Sequence, residues 1–238
     1  NWYVRLSRKR FWHGEVDTDK HTAYTTLFTV LETSLRLLAP FVPFTSEELY
    51  RALRGHQDAD ASVHLQDFPV ADAARQDAAL EARMDTAQQV VQLGRSLRQE
   101  SQLKTRQPLG RLVIHSDDSR AADLLADATL AGYVAGELNV KEVGRVDDPR
   151  EVAELAARAN YRALGPRFGK QAPRWAQAIE AMTAEQVLSL QAAGSVELSG
   201  DGQTETLGFE EIQVRQSGVA PYAATGQGGL TVALDTTL

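Results

Sequence analysis

The chain has 238 residues, a net charge of −7, 43% hydrophobic and 24% charged residues, and no cysteine. Those values describe a globular chain of one large or two ordinary domains with a real core, not a disordered one. They exclude disulfides, thiolate metal sites and a cysteine nucleophile, and they fit a reducing compartment. No apolar run approaches the ~20 residues that span a bilayer. The acidic total argues against indiscriminate polyanion binding, which needs a broad positive field. Charge is unevenly spread, however. Residues 1–56, 91–111 and 150–175 are net basic, and the stretches between and after them are net acidic. A local basic face therefore remains possible.

The first element is NWYVRLSRKRFW, with four cations and four aromatics in twelve residues. It starts in mid-pattern and no signal peptide precedes it, so a cut from a longer chain is expected. On a helical wheel Arg5, Arg8 and Lys9 share one sector of ~100°, with Trp2 and Trp12 near its edges. Tyr3, Val4, Leu6 and Phe11 fall on the opposite, core-facing side with Ser7. Arg10 falls among the apolar set and must snorkel or find an acidic partner.

TAYTTLFTVLETSLRLL then places Tyr24, Leu27, Phe28, Leu31, Leu35 and Leu38 on one helical stripe, expected to be buried. Pro40 and Pro43 end that helix. TSEELYRAL restarts one, with Thr45 and Glu48 in capping-box form. GHQDADASVHLQDFP is a polar link. A long helix is expected from about Asp77 to Lys104, with Val90, Leu93 and Leu97 on one side and Arg95, Arg98 and Gln102 on another.

TRQPLG breaks the helical grammar. GRLVIHS and NVKEVGRV are strand-like and flank a helical DDSRAADLLADATLAGYVAGEL. EVAELAARANYRALG is compatible with strand or helix. GKQAPRWAQAIEAM and TAEQVLSLQAA are helical; SVELSG, EEIQVRQ and LTVALD are strand-like, with glycine-rich turns between them. The fold class expected is α+β. An antiparallel helical bundle (1–107) precedes a smaller mixed α/β region (108–238), with both ends of the chain incomplete.

Catalytic constellations are sparse. Histidines stand at 13, 21, 56, 64 and 115, none at the i, i+4 spacing of a helical metal site. Nothing resembles a nucleophile elbow, and the acidic pairs Glu47–Glu48 and Asp117–Asp118 read as a helix start and a turn. GPRFGKQ imitates a phosphate loop, but three residues rather than four separate Gly165 from Gly169, and Gln171 stands where the magnesium-binding hydroxyl belongs. GQGG near 226–229 is a hairpin turn. What remains is cationic. The opening helix offers cations for phosphates and aromatics for unstacked bases, or else it is a packed helix with a solvated basic side. Arg95, Arg98, Lys104 and Arg106 form a second such zone. Arg158, Arg162, Arg167, Lys170 and Arg174 form a third.

The stretches NWYVRLSRKRFW, TLFTVLETSLRLLAPFVPFTSEELYRAL and SVHLQDFP, in this order and spacing, resemble the anticodon-binding region of class I isoleucyl-tRNA synthetases. SLRQESQLKTRQPLGRLVI, ELNVKEV, ANYRALGPRFGK and GGLTVALDTTL extend the resemblance over nearly the whole chain. It implies tRNA binding by a piece of an enzyme that aminoacylates isoleucine tRNA, with ATP and Mg implied for the parent protein. The HIGH and KMSKS signatures of the catalytic core and the editing domain do not occur in this chain. No catalytic residue, cofactor or metal site is therefore expected within it.

Candidate RNA-contacting residues are Arg5, Arg8, Lys9, Trp2, Trp12, Arg95, Arg98, Lys104 and Arg106. Expected partners are isoleucine tRNA and the catalytic domain of the parent chain, which is expected to be cytoplasmic, monomeric and free of membrane contact. Two alternatives stand beside this reading. One is the corresponding region of a valine-type synthetase. The other is a non-catalytic protein-interaction module whose basic helix docks on an acidic partner.

Overall fold

The computed structural model describes residues 2–12, 14–55, 62–200 and 203–237. His13 and residues 56–61 of the polar link, His56 among them, lie outside these residues. The structure is α+β and divides into two compact units, residues 1–76 and 77–238.

The first unit is helical. Helices α1 (Trp2–Leu6) and α2 (Arg8–Trp12) are followed by α3 (Thr18–Leu38), α4 (Pro43–Arg54) and a 3-10 turn at Val63–Leu65. Asp17 caps α3 by accepting the Lys20 N–H at 2.7 Å. The capping box expected at Thr45 does not form. Pro43 occupies the first position of α4, where its missing N–H costs nothing, so the helix starts earlier and no side chain caps it. The core is small, made of Leu35, Ala39, Tyr50 and Val63. The expected stripe on α3 is only partly covered: Leu35 is buried, Leu27 and Phe28 are half-buried, and Tyr24, Leu31 and Leu38 are exposed. Polar contacts hold the rest. Glu47 accepts from Ser62 Oγ at 3.0 Å and from the Val63 N–H at 2.9 Å, which fixes the VHL turn against α4.

The second unit begins with α5 (Ala78–Glu100), capped by Asp77. Then come β1 (Leu109–Ser116), α6 (Arg120–Ala126), α7 (Ala128–Leu138) and β2 (Val140–Arg145). Strands β1 and β2 pair in parallel from Leu109↔Val140, as a strand–helix–strand crossover requires. The ambiguous EVAELAARANYRALG resolves into both states. β3 (Ala153–Ala159) buries alternate residues, and α8 (Tyr161–Phe168) follows after Asn160. Helices α9 (Ala172–Glu180) and α10 (Ala184–Ala193) come next, α10 with a full Thr183–Gln186 capping box. The strands β4 (Ser195–Gly200), β5 (Gln203–Gly208), β6 (Ile212–Gly218), β7 (Tyr222–Gln227) and β8 (Leu230–Asp235) complete the chain.

The main sheet has the order β2-β1-β8-β7, and β3–β6 and β4–β5 form separate pairs. Gly228 and Gly229 take positive φ in the β7–β8 turn, as GQGG implied. Helix α5 packs on α6, α7 and β8. Its Gly94 admits Leu138 so closely that an added Cβ would lie 2.5 Å from Leu138 Cδ1. A second core gathers Leu164, Trp175, Ile179, Leu190, Leu198, Leu207 and Ile212 among α8–α10 and the short strand pairs.

Two features carry expectations for stability. Helix α5 ends with Gln102 at φ 55°, and the Leu103 N–H bonds back to the Arg98 carbonyl at 2.8 Å. This is a six-to-one closure with a non-glycine residue at its left-handed position. Gln102→Gly is expected to raise stability by about 1 kcal/mol, read as a higher urea midpoint at unchanged m. Glu211 is 7% exposed and meets Arg167 Nη1 at 2.6 Å and the Gly208 N–H at 3.0 Å. Burial pushes its carboxyl up, but those donors together hold it below its ordinary 4.5. The resulting stabilisation is complete above that ordinary value and is lost as pH falls through the lower folded one. Glu211→Gln is expected to cost about 1–2 kcal/mol at neutral pH and to flatten the acid limb of the stability–pH curve.

Candidate nucleic-acid interface

The opening stretch is helical, but the side the wheel assigned to the core is only partly covered: Ser7 is buried, Leu6 and Phe11 are half-buried, and Tyr3 and Val4 are exposed. Ser7 separates α1 from α2, yet the Ser7 N–H bonds to the Tyr3 carbonyl at 2.9 Å and the Phe11 N–H to the Ser7 carbonyl at 3.1 Å. The two short helices therefore keep one phase. Their inner side is anchored. Ser7 is buried. The Tyr3 hydroxyl donates to the Ala23 carbonyl at 3.0 Å. The Phe11 ring meets Tyr24 edge-on at 5.1 Å. Arg10, the misfit of the wheel, finds its acidic partner: its Nη2 lies 2.7 Å from Asp19 Oδ1. The hydrogen bond from Arg10 holds the Asp19 carboxyl below its ordinary range.

The outer side carries the exposed cations Arg5, Arg8 and Lys9. Val4, Arg5, Arg8, Phe11 and Trp12 line a shallow cleft of about 350 Å³. Trp12 stands 79% exposed beside it. The structure thus brings Arg5, Arg8 and Trp12 together. Lys9 and the half-buried Trp2 lie outside the cleft lining. Chemically, the cleft offers guanidinium donors for phosphate oxygens and an indole face for a base.

The second zone is not the uniform basic patch that its composition implied. Arg95 pairs with Glu137, whose side chain is 8% exposed. Arg98 must be withdrawn as a surface contact. It is 2% exposed and donates to the backbone carbonyls of Lys104 at 3.0 Å and Asn139 at 3.2 Å. Burial pushes its pKa down. The wheel set it on a free face because the partner that covers that face is 41 residues distant. Lys104 and Arg106 do lie exposed, on the turn that follows α5.

In the third zone, Arg167 is taken up by Glu211 and the Thr206 carbonyl, and Arg174 stacks over Trp175 at 5.2 Å. Arg158, Arg162 and Lys170 are exposed. GPRFGKQ is the end of α8 and a 3-10 turn, not a phosphate loop. Among the described residues no cluster of three metal-ligating side chains occurs, and no helix is long and apolar enough to cross a membrane.

Sequence reasoning missed the group that shapes the second zone. Asn139, at φ 50°, donates its side-chain amide to the Thr105 carbonyl at 3.2 Å. Its left-handed tolerance at the end of α7 was the one local signal available.

The profile of the family described as the anticodon-binding domain of tRNA ligase matches residues 1–114. The isoleucine–tRNA ligase of Porphyromonas gingivalis is 39% identical over 238 residues, which is all of this chain and 20% of that protein. That of Treponema pallidum (strain Nichols) is 37% identical over 238 residues, all of this chain and 22% of the relative. That of Bacteroides thetaiotaomicron is 36% identical over 241 residues, again all of this chain and 20% of the relative. The chain spans about a fifth of the length of these curated relatives. Residues 1–114 thus belong to the anticodon-binding domain family of tRNA ligases, and the chain over its whole length is similar to isoleucine–tRNA ligases.

Proposed function

We propose that this chain binds isoleucine tRNA through the anticodon stem-loop and holds it for aminoacylation by a catalytic domain that these 238 residues do not contain. The observation that carries the reading is the two-sided opening helix. Tyr3, Phe11 and Arg10 anchor it to α3, while Arg5, Arg8 and Trp12, with Val4 and Phe11, line a cleft beside that anchor. The location of that helix within the matched anticodon-binding family supports it.

RNA recognition favours splayed single-stranded bases, because the deep A-form groove hides base edges. Arg5, Arg8 and Lys9 would contact phosphates, and Trp12 would stack on an unpaired base. Lys104 and Arg106 would supply a second phosphate contact from the turn after α5. In this reading ATP and Mg act on the parent enzyme's catalytic domain. The parent is a monomeric, cytoplasmic protein.

Neutralising Arg5, Arg8 and Lys9 together with glutamine is expected to leave helix content intact by circular dichroism. The same variant should lower tRNA affinity and reduce the log–log salt slope by about 2–3. An unchanged slope would move the RNA contact away from this helix. Titration with isoleucine and valine tRNAs separates the two synthetase types, since only the cognate tRNA should saturate tightly. A protein-interaction module would show no tRNA discrimination at all. The chain alone is expected to give no isoleucine-dependent ATP–pyrophosphate exchange, and measurable exchange would overturn its reading as a binding region.

A further inference from the structure

Arg98 is a buried arginine with no carboxylate among its hydrogen-bond partners. Its site is enclosed, at 2% exposure, and Nε finds no hydrogen-bond partner. An apolar side chain of similar length would fill that space without burying a charge, and the two carbonyls it left would each keep one backbone bond. What the guanidinium adds is a planar fork. One arm reaches the Lys104 carbonyl and the other the Asn139 carbonyl.

Both carbonyls already accept a backbone bond. Lys104 accepts the Gln107 N–H at 2.9 Å, closing the turn, and Asn139 accepts the Leu109 N–H at 3.1 Å, starting the pairing of β1 with β2. Arg98 uses the second lone pair of each. The Asn139 carbonyl also lies at the C-terminal end of α7, where the helix dipole favours a cation. Asn139 adds its own bond to the Thr105 carbonyl. Two successive carbonyls of the turn are therefore tied to the interior, while the side chains of Lys104, Thr105 and Arg106 are exposed.

We infer that Arg98 is a positioning residue for RNA binding: it touches no RNA, but fixes the Lys104–Arg106 turn so that both exposed cations are preset to meet backbone phosphates. This rests on the tRNA-binding reading above. Preorganisation of this kind acts on affinity by removing an ordering cost, not by adding a contact. It therefore leaves a signature different from that of a phosphate-binding cation.

The test is anisotropy titration of the 238-residue chain with isoleucine tRNA over a range of salt. Lys104→Gln with Arg106→Gln should lower the salt slope by about 1–2. Arg98→Met should weaken binding by about three- to tenfold with the wild-type slope. Combined with the double neutralisation, it should add nothing further. Arg98→Lys, which lacks the fork, should not restore binding. Should Arg98→Met fail to fold, Asn139→Gly decides, since it keeps the left-handed cap and removes only the tie to Thr105. It should also weaken binding at constant slope.

Wild-type affinity in a folded Arg98→Met, or in Asn139→Gly where the former does not fold, overturns the positioning role and leaves the tRNA reading standing. A reduced slope in Arg98→Met overturns it in favour of direct phosphate contact. No saturable tRNA binding by the wild-type chain overturns the tRNA reading itself, and this inference with it.

Discussion

The second unit depends on the joint where helix α5 gives way to strand β1. The strand must enter beside β2 at Leu109↔Val140, one residue after α7 has ended at Asn139. The Asn139 carbonyl receives the Leu109 N–H and the Arg98 guanidinium at once. One oxygen thereby ends a helix, starts a parallel ladder and holds a cation away from solvent. The helix packing above it is equally tight, since Gly94 leaves room for Leu138 against α5. The register of β1 then carries through to β8 and β7.

The first unit is organised differently. Its apolar core is small, and much of its definition comes from polar clasps: Arg10 on Asp19, Glu47 on the VHL turn, and Arg36 Nε on the Asp67 carbonyl at 3.0 Å. Such contacts are directional and hold a surface in place without a thick interior. The consequence for function is that the opening helix can be committed on one face and remain available on the other. Arg10 and its neighbours Arg8 and Lys9 are chemically alike, yet only Arg10 turns inward to a carboxylate.

Much of the fold was legible because it is local. The short β-rich runs GRLVIHS and LTVALD were strand-like and form the core strands β1 and β8, and Asp77 marked the start of α5. TAEQVLSLQAA read as the helix that α10 forms. The misses have physical causes. QTETLG and YAATGQ form β5 and β7 but carry glycine, threonine and polar residues where a strand signal wants branched apolar ones. In EVAELAARANYRALG, alanine serves either state, and only pairing of β3 with β6 decides for strand up to Ala159. The supposed cap at Thr45 failed because Pro43 already provides a helix start. The candidate site was legible in the same uneven way. The division of the opening helix into a cationic and a core side came from periodicity, whereas the fate of Arg98 did not.

The sequence by itself determined most of the stretches that are helical, which face of the opening helix is basic, and that no thiolate chemistry occurs. Each of these is a property of residues a few positions apart. Tertiary structure alone decided which cations face outward. Arg98, Arg95 and Arg167 are met by groups 41, 42 and 44 residues away. Of the three only Arg98 is buried; Arg95 and Arg167 stay exposed, as do Arg5, Arg8, Lys9, Lys104 and Arg106. Composition counts all of these as equal positive charges. Burial and a distant oxygen make them different, and no local pattern encodes an oxygen that only the folded chain brings near.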